Sequence, residues 1–168
     1  MEASGLSRYA QRFLSEGAPG FLESLSCPLL VWTVRGADAA GWVKTQSQLS
    51  LPEPTRGEPL VFELRKDPER SNPFALGVTL GRTANNDIVV PHPSVSRFHG
   101  YFQLDPRNQG WTLTDAESKN GSFSGDQRLI PTRPLALADA SRLRFGEADV
   151  RFYLREGFLS YLKLAMAG

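Results

Sequence analysis

Residues 78–104 read VTLGRTANNDIVVPHPSVSRFHGYFQL, a stretch in which short apolar runs alternate with clusters of polar and turn-forming residues. Valine, isoleucine and aromatic residues concentrate in the runs, and glycine, proline, asparagine and serine separate them. Short runs of this composition, bounded in this way, are typical of strands joined by loops. The stretch therefore predicts three strands with two polar loops between them.

The same rhythm continues on both sides of this stretch. Further strand-like segments lie at residues 60–64, 111–114, 135–137, 142–145 and 149–154. Several of them alternate apolar and polar residues with period two, and turn residues separate them at short intervals. A regular series of short strands indicates an all-β sandwich or barrel.

The two ends of the chain have a helical pattern instead. Leu6, Ala10 and Phe13 recur at helical spacing, with Ser4 or Ser7 as the expected N-cap, and residues 17–20 interrupt the pattern. A final amphipathic helix is expected over residues 156–168. We expect this helix to cover part of the sandwich or to pack against the N-terminal helix.

Prolines and glycines between residues 52 and 59 mark the expected domain boundary. We therefore expect an N-terminal extension over residues 1–56, made of a helix and short strands at 29–34 and 42–46. The main β domain is expected over residues 57–155, followed by the C-terminal helix.

Charge and composition narrow the range of functions. The 168 residues carry 19 lysines and arginines against 18 acidic residues, a net charge of +1, which argues against general nucleic-acid binding. Arg142, Arg144 and Arg151 alternate along strands, a pattern that usually marks a solvated face. The single cysteine, Cys27, excludes an internal disulfide and a multi-cysteine zinc site. Because no secretory signal or membrane-spanning stretch is visible, we expect a cytoplasmic protein without membrane insertion.

Three polar clusters fall between the predicted strands: residues 81–87 (GRTANND), 91–99 (PHPSVSRFH) and 115–122 (DAESKNGS). Arg82 offers a planar fork of donors that suits phosphate oxygens. Ser96 offers a hydroxyl donor, and Asn120 offers an amide that can bind the main chain of an extended peptide. Taken singly, each is an ordinary loop or turn residue.

Taken together and in order, these motifs resemble the forkhead-associated (FHA) domain family. The resemblance is carried by Gly81-Arg82, residues 86–90 (NDIVV), the Ser96-x-x-His99 pattern, and Asn120-Gly121, over about residues 59–155. It implies an all-β, FHA-like sandwich of about eleven strands, here with short helical N- and C-terminal extensions. It also implies binding of phosphothreonine peptides at the loops of one end.

The resemblance assigns roles to particular residues. Arg82 would grip the phosphate and Ser96 would donate its hydroxyl to it, while Arg97 and Lys119 would add positive charge. Asn120 would hydrogen-bond the ligand backbone beside the phosphothreonine. The residues expected to support the site rather than touch ligand are Gly81, Asn86, His99 and Gly121.

The resemblance implies a phosphothreonine-containing protein as partner, a kinase or a kinase substrate, with the terminal helices as a further docking surface. One alternative has the same fold without phosphopeptide binding: a degenerate FHA domain that acts as a phospho-independent scaffold or oligomerisation module.

A second alternative is that the protein is an enzyme. His92 and His99 are the only histidines, and no nucleophile triad, P-loop or paired zinc motif is visible. We therefore expect no enzyme activity, no catalytic residue, no cofactor and no metal.

Overall fold

A computed structural model of the chain describes residues 3–35, 57–70, 72 and 74–168. Within these residues it contains two helices and twelve strands. In chain order they are β1 (Ser4–Gly5), α1 (Leu6–Ser24), β2 (Leu29–Trp32), β3 (Leu60–Glu63), β4 (Val78–Gly81), β5 (Ile88–Val89), β6 (Gly100–Leu104), β7 (Trp111–Asp115), β8 (Ser122–Ser124), β9 (Gln127–Arg128), β10 (Leu135–Ala136), β11 (Arg142–Phe145), β12 (Ala148–Tyr153) and α2 (Arg155–Ala167).

The strands form two sheets. Seven strands make an antiparallel sheet in the order β1-β3-β2-β12-β11-β8-β9. The other five follow the order β10-β7-β6-β4-β5, in which only the β4–β5 pair is parallel. The predicted all-β sandwich with helical ends is thus confirmed, with twelve described strands rather than about eleven.

The main core lies between the two sheets. Leu30 and Trp32 of β2 and Phe152 of β12 meet Phe102 and Leu113 of the five-stranded sheet, and all five are fully buried. Because successive strand residues point to opposite faces, the period-two pattern of the sequence places one set of side chains in this core. The other set points to the outer face.

A second core lies on the outer face of the seven-stranded sheet. Tyr9 and Phe21 of α1 and Phe158 of α2 pack there on Val31 and Tyr153. The ring centroids of Tyr9 and Phe158 are 5.4 Å apart, edge to face. Helix α2 therefore does both things expected of it, because it covers part of the sandwich and packs against α1.

The start of α1 differs from the prediction. The N-cap is Gly5, which makes no side-chain capping bond, so neither Ser4 nor Ser7 caps the helix. Instead the Ser7 amide donates to Glu58 Oε1 at 2.6 Å and the Leu6 amide donates to Pro59 O at 3.1 Å, so residues distant in sequence satisfy these two amides of the first turn. The predicted interruption is present at Gly17, whose φ of +69° kinks the helix.

Strand β2 bears on the expected domain boundary. It lies inside the seven-stranded sheet, hydrogen-bonded to β3 on one side and to β12 on the other. This position argues for a folding unit that begins before residue 57, and we propose that β2 belongs to the domain. The strand expected at 42–46 lies outside the described residues. None of the helices in the described ranges is both long and apolar enough to cross a bilayer.

Candidate functional site

The three polar loops meet at one end of the sandwich. The Arg82 amide donates to Ser96 O at 2.9 Å, and the Lys119 amide donates to Ser96 Oγ at 3.1 Å. The Asn120 side chain donates from Nδ2 to Ser94 O at 2.9 Å. Direct hydrogen bonds thus link the middle loop to each of the other two. We call this end of the molecule, with Arg82, Ser96, Arg97, Lys119 and Asn120, the recognition end.

Arg82 is half-buried and partly fixed. Its Nε donates to Val95 O at 3.0 Å, which orients the guanidinium along the middle loop. Within the described part of the chain, Arg82 forms no ion pair, and its two terminal nitrogens have no hydrogen-bond partner. A half-buried guanidinium without a carboxylate is suited to an anion from outside, because charge-assisted bonds to phosphate or carboxylate are the strong ones.

Hydrogen bonds to backbone atoms fix the positions of Ser96 and Arg97 in the middle loop. The Ser96 hydroxyl accepts from Lys119, which leaves its own hydrogen available to donate. Arg97 O accepts from Asn86 Nδ2 at 2.7 Å and from Thr83 Oγ1 at 3.0 Å, whereas the Arg97 side chain is exposed. The fixed backbone and exposed guanidinium allow Arg97 to reach a ligand above the loop.

Lys119 and Asn120 are both exposed on the β7–β8 loop. Lys119 forms no ion pair with any described residue. The Asn120 amide nitrogen is used to hold Ser94, and its Oδ1 accepts no hydrogen bond from the residues described here. Oδ1 is therefore the atom of Asn120 that could accept from a ligand amide.

His99 lies under the recognition end and is fully buried. Its Nδ1 accepts from the Ser96 amide at 3.0 Å, and its Nε2 lies 3.1 Å from Gly121 O, so the neutral ring with hydrogen on Nε2 satisfies both bonds. Burial lowers the pKa of His99, although Asp115 opposes the change. The neutral imidazole joins the middle loop to the β7–β8 loop.

Gly81, Asn86 and Gly121 occupy positions where backbone shape matters. A Cβ on Gly81 would overlap Arg97 O and would come 2.6 Å from Asn86 Nδ2. Asn86 closes its own turn by donating to Thr83 O at 2.9 Å. Gly121 has a φ of +85°, which favours glycine.

Two buried carboxylates support the loops from below. Asp87 accepts from the Thr79 amide and from Lys66 Nζ, each at 2.8 Å, and thereby joins its loop to strand β4. Burial acts to raise the pKa of Asp115, but hydrogen bonds from Ser118 and Ser122 outweigh it and hold that pKa below its ordinary value. Asp115 is therefore favoured in its ionised form, and hydrogen bonds satisfy both carboxylates.

Two features of this end were not identified from the sequence. Ser94 Oγ lies 2.6 Å from His92 Nδ1 and accepts from the Glu147 amide at 2.8 Å, which ties the middle loop to the β11–β12 turn. Arg128 on β9 lies beside Gly121: a Cβ there would be 2.8 Å from Arg128 Nε. The contact of Ser94 with Glu147 joins segments distant in sequence and carries no local signal, whereas Arg128 follows the short β8–β9 hairpin, for which Gly125-Asp126 is a local turn signal.

The described residues include no group of three or more histidine, cysteine or acidic side chains that could hold a metal ion. The recognition end instead concentrates donors and positive charge. It presents two arginines, a lysine and a hydroxyl on loops that a rigid sandwich holds in place, an arrangement suited to anion recognition.

Comparison with known proteins agrees with this architecture. The FHA domain family model matches residues 78–146, which contain every residue of the recognition end. Rat (Rattus norvegicus) mediator of DNA damage checkpoint protein 1 is 35% identical over 78 residues, 46% of this chain but 6% of the relative. The FHA domain-containing protein PS1 of Arabidopsis thaliana is 30% identical over 76 residues, 45% of this chain and 5% of the relative.

The solved FHA domain of the CT664 protein from Chlamydia trachomatis superposes with a TM-score of 0.50 at 16% sequence identity, covering 76% of this chain and 97% of that one. The chain thus spans only a small part of the curated relatives, and what it shares with them is a domain rather than a whole protein. Sequence motifs, sandwich and family match agree: the chain contains an FHA domain, and residues 78–146 lie within it.

Proposed function

We propose that the recognition end binds phosphothreonine-bearing segments of another protein, so that the chain acts as a phosphorylation-dependent binding module. The observation that carries this proposal is the half-buried Arg82, which lies in hydrogen-bonded contact with the Ser96 loop and has no acidic partner among the described residues. FHA domains belong to the modules that read phosphorylated motifs through basic residues, which supports the assignment.

Each residue has a distinct role in the proposed complex. The terminal nitrogens of Arg82 and the hydroxyl of Ser96 would bind phosphate oxygens, with Arg97 and Lys119 adding positive charge from the two adjacent loops. Asn120 would accept from the ligand backbone through Oδ1. Gly81, Asn86, His99 and Gly121 would hold the loops without touching ligand. The proposal requires no catalytic residue and no cofactor.

Electrostatics explains why phosphorylation would be required. A phosphoryl group adds about −1.5 to −2 charges and three acceptor oxygens, whereas threonine offers a single hydroxyl. Removing one partner of a desolvated, hydrogen-bonded charge pair costs about 2–5 kcal/mol, or roughly thirtyfold to several thousandfold in affinity. Loss of Arg82 should therefore reduce a micromolar interaction to an undetectable one.

An oriented phosphothreonine peptide array, probed with the wild-type chain and with Arg82→Ala, tests the proposal. We expect the wild type to select phosphorylated spots and Arg82→Ala to lose them while keeping the wild-type melting temperature. Arg107→Ala is the matched control, because Arg107 is an exposed arginine in the β6–β7 loop, away from the three recognition loops. Equal signals from Arg82→Ala and wild type would contradict the proposal.

The alternative of a phospho-independent scaffold predicts a different result. Such a module would associate with itself or with a partner through surfaces such as the helices, where Leu14 and Leu164 are 71% and 75% exposed. Light scattering with and without phosphopeptide separates the two, since a scaffold forms the same assembly in both conditions. Under our proposal the ligand is a kinase or a kinase substrate, which the binding module would meet in the cytoplasm.

A further inference from the structure

The outer face of the seven-stranded sheet has two different halves. One half is apolar and is covered by α1 and α2 through contacts with residues such as Val31 and Tyr153. The other half holds a cavity of about 300 Å³ whose charged lining consists of Arg35, Arg142, Arg144, Arg151, Asp126 and Asp149. The four arginines and two aspartates give this half a net charge of +2.

Strand register aligns the basic residues across this half. Phe123 of β8 is the register partner of Arg128 on β9 and of Arg144 on β11. Both guanidinium carbons lie over the Phe123 ring, at 5.8 Å for Arg128 and 3.8 Å for Arg144. Arg144 also donates from Nη1 to Gly146 O at 2.6 Å. Two of the cations are therefore held in place before any ligand arrives.

Two further arginines face each other across the neighbouring strands β11 and β12. Arg142 of β11 and Arg151 of β12 are direct register partners, and both are exposed. Like charges directly opposite each other destabilise a sheet. Neither side chain forms an ion pair or a hydrogen bond within the described ranges, and Asp149 pairs with Arg35 instead. We call Arg128, Arg144, Arg142 and Arg151, with Phe123 between the first two, the arginine track.

The arginine track begins at the recognition end. Arg128 Nε lies where a Cβ on Gly121 would be only 2.8 Å away, and Gly121 directly follows Lys119 and Asn120. From β9 to β12 the track crosses three strand spacings, about 14 Å, which an extended peptide covers in about five residues. A ligand bound at the recognition end could therefore continue along the track without a break.

We propose that the arginine track binds an acidic segment of the same ligand that carries the phosphothreonine. This inference rests on the proposed function, and it adds a preference for ligands with several aspartates, glutamates or further phosphates beside the phosphothreonine. A peptide fits better than nucleic acid, because Asp126 and Asp149 share the cavity and would repel a continuous phosphate backbone. The unneutralised pair of Arg142 and Arg151 gains its counter-ions from the ligand.

The test uses fluorescence anisotropy with the full chain and four probes in each of two series. Each probe is an alanine-rich peptide with one central threonine, phosphorylated or not, joined to about six glutamates or about six glutamines. The tail is placed after the threonine in one series and before it in a second, because the direction of the ligand is open. We expect the glutamate tail to strengthen binding of the phosphorylated peptide about tenfold in one series, through several exposed ion pairs.

Salt and substitution identify the source of that gain. Raising the ionic strength from about 50 mM to about 500 mM should reduce the gain to less than about twofold, because exposed pairs are screened. The double variant Arg142→Gln with Arg151→Gln should abolish the gain, retain phosphate dependence and melt no lower than wild type. The matched control is Arg8→Gln with Arg107→Gln, which removes the same charge from exposed positions outside the track and should keep the gain.

The outcomes separate the two proposals. Two results would overturn the proposed role of the arginine track. One is equal affinity for glutamate and glutamine tails in both series, and the other is a gain in affinity that survives in the Arg142/Arg151 variant. Displacement of the glutamate-tailed peptide by a short oligothymidylate at lower concentration than free hexaglutamate would also overturn it in favour of nucleic acid. Loss of phosphate dependence in the wild type would instead overturn the proposed function.

Discussion

Residues at the recognition end are fixed mainly through backbone atoms, which leaves their functional groups available. Ser96 illustrates this: its carbonyl binds the Arg82 amide and its amide binds His99, whereas its hydroxyl can still donate. Such a site is organised before binding, so little side-chain entropy would be lost when a ligand arrives. The buried His99 is central to this order because it connects two of the three loops.

His99 should make the stability of the protein depend on pH. The pKa of the ring is lowered from its ordinary 6.5 by burial, so at mildly acidic pH the unfolded chain binds a proton that the folded chain does not. Protonation then favours the unfolded state. The free energy of unfolding should be highest above about pH 6.5 and should decline as the pH falls towards the lowered pKa.

Urea denaturation between about pH 7.5 and pH 5.5 measures this dependence. His99→Gln should be less stable at neutral pH, because it loses the edge-to-face contact with Phe145, and its stability should change less over the same interval. An identical pH slope in His99→Gln and wild type would contradict the assignment of this effect to His99.

Among single residues, the sequence singled out Arg82, Ser96 and Asn120 because short ordered motifs carry them, and the structure brings their three loops together; their binding role stays a prediction. It did not predict the position of Arg128 or the contact between Ser94 and Glu147. The Ser94 contact depends on the approach of the β11–β12 turn, which leaves no local pattern, whereas the position of Arg128 follows from the short β8–β9 hairpin around Gly125-Asp126.

Among the elements, β2 shows how a strand can be predicted while its place is not. The run at 29–34 indicated a strand, but only the fold places it between β3 and β12. The same applies to the start of α1, where the Ser7 amide is satisfied by Glu58 rather than by a neighbouring serine. Pairing between distant segments is decided by packing of the whole sheet.

Removing residues 1–56 should therefore prevent folding. The shortened chain would lose β1, α1 and β2, which exposes the edges of β3 and β12 and opens both cores. Circular dichroism during heating should show no cooperative transition for this chain. Removing only residues 165–168, all of them exposed, should leave the wild-type transition nearly unchanged. Cooperative unfolding of the chain that begins at residue 57 would support the expected boundary instead.

In the whole molecule, two cores share one sheet. The sandwich core lies on one face of β2 and β12, and the helix core lies on the other. The sequence predicted a sandwich with helical ends from its periodicity and offered two packing sites for α2, the sandwich or α1, but patterns within single segments do not show that α2 occupies both. Because the same strands serve both cores, the helices and the sandwich should unfold together.

Phe158→Ala tests this coupling. Phe158 is fully buried between Tyr9, Phe21 and Tyr153, and removing a buried phenylalanine costs about 3–5 kcal/mol. We expect a single transition at lower urea concentration, seen equally by far-UV circular dichroism and by tryptophan fluorescence. Leu164→Ala, on the exposed side of the same helix, should change stability by less than about 0.5 kcal/mol. Separate transitions for the two probes would contradict a shared fold.

The central claim is that the recognition end gains binding energy from a phosphoryl group. Isothermal titration calorimetry tests it most directly, using the strongest array peptide in its phosphorylated and unphosphorylated forms with wild type and Arg82→Ala. We predict measurable heat only for the phosphorylated peptide with the wild-type chain. Equal affinity for the two peptide forms, or full affinity in a folded Arg82→Ala protein, would contradict the account.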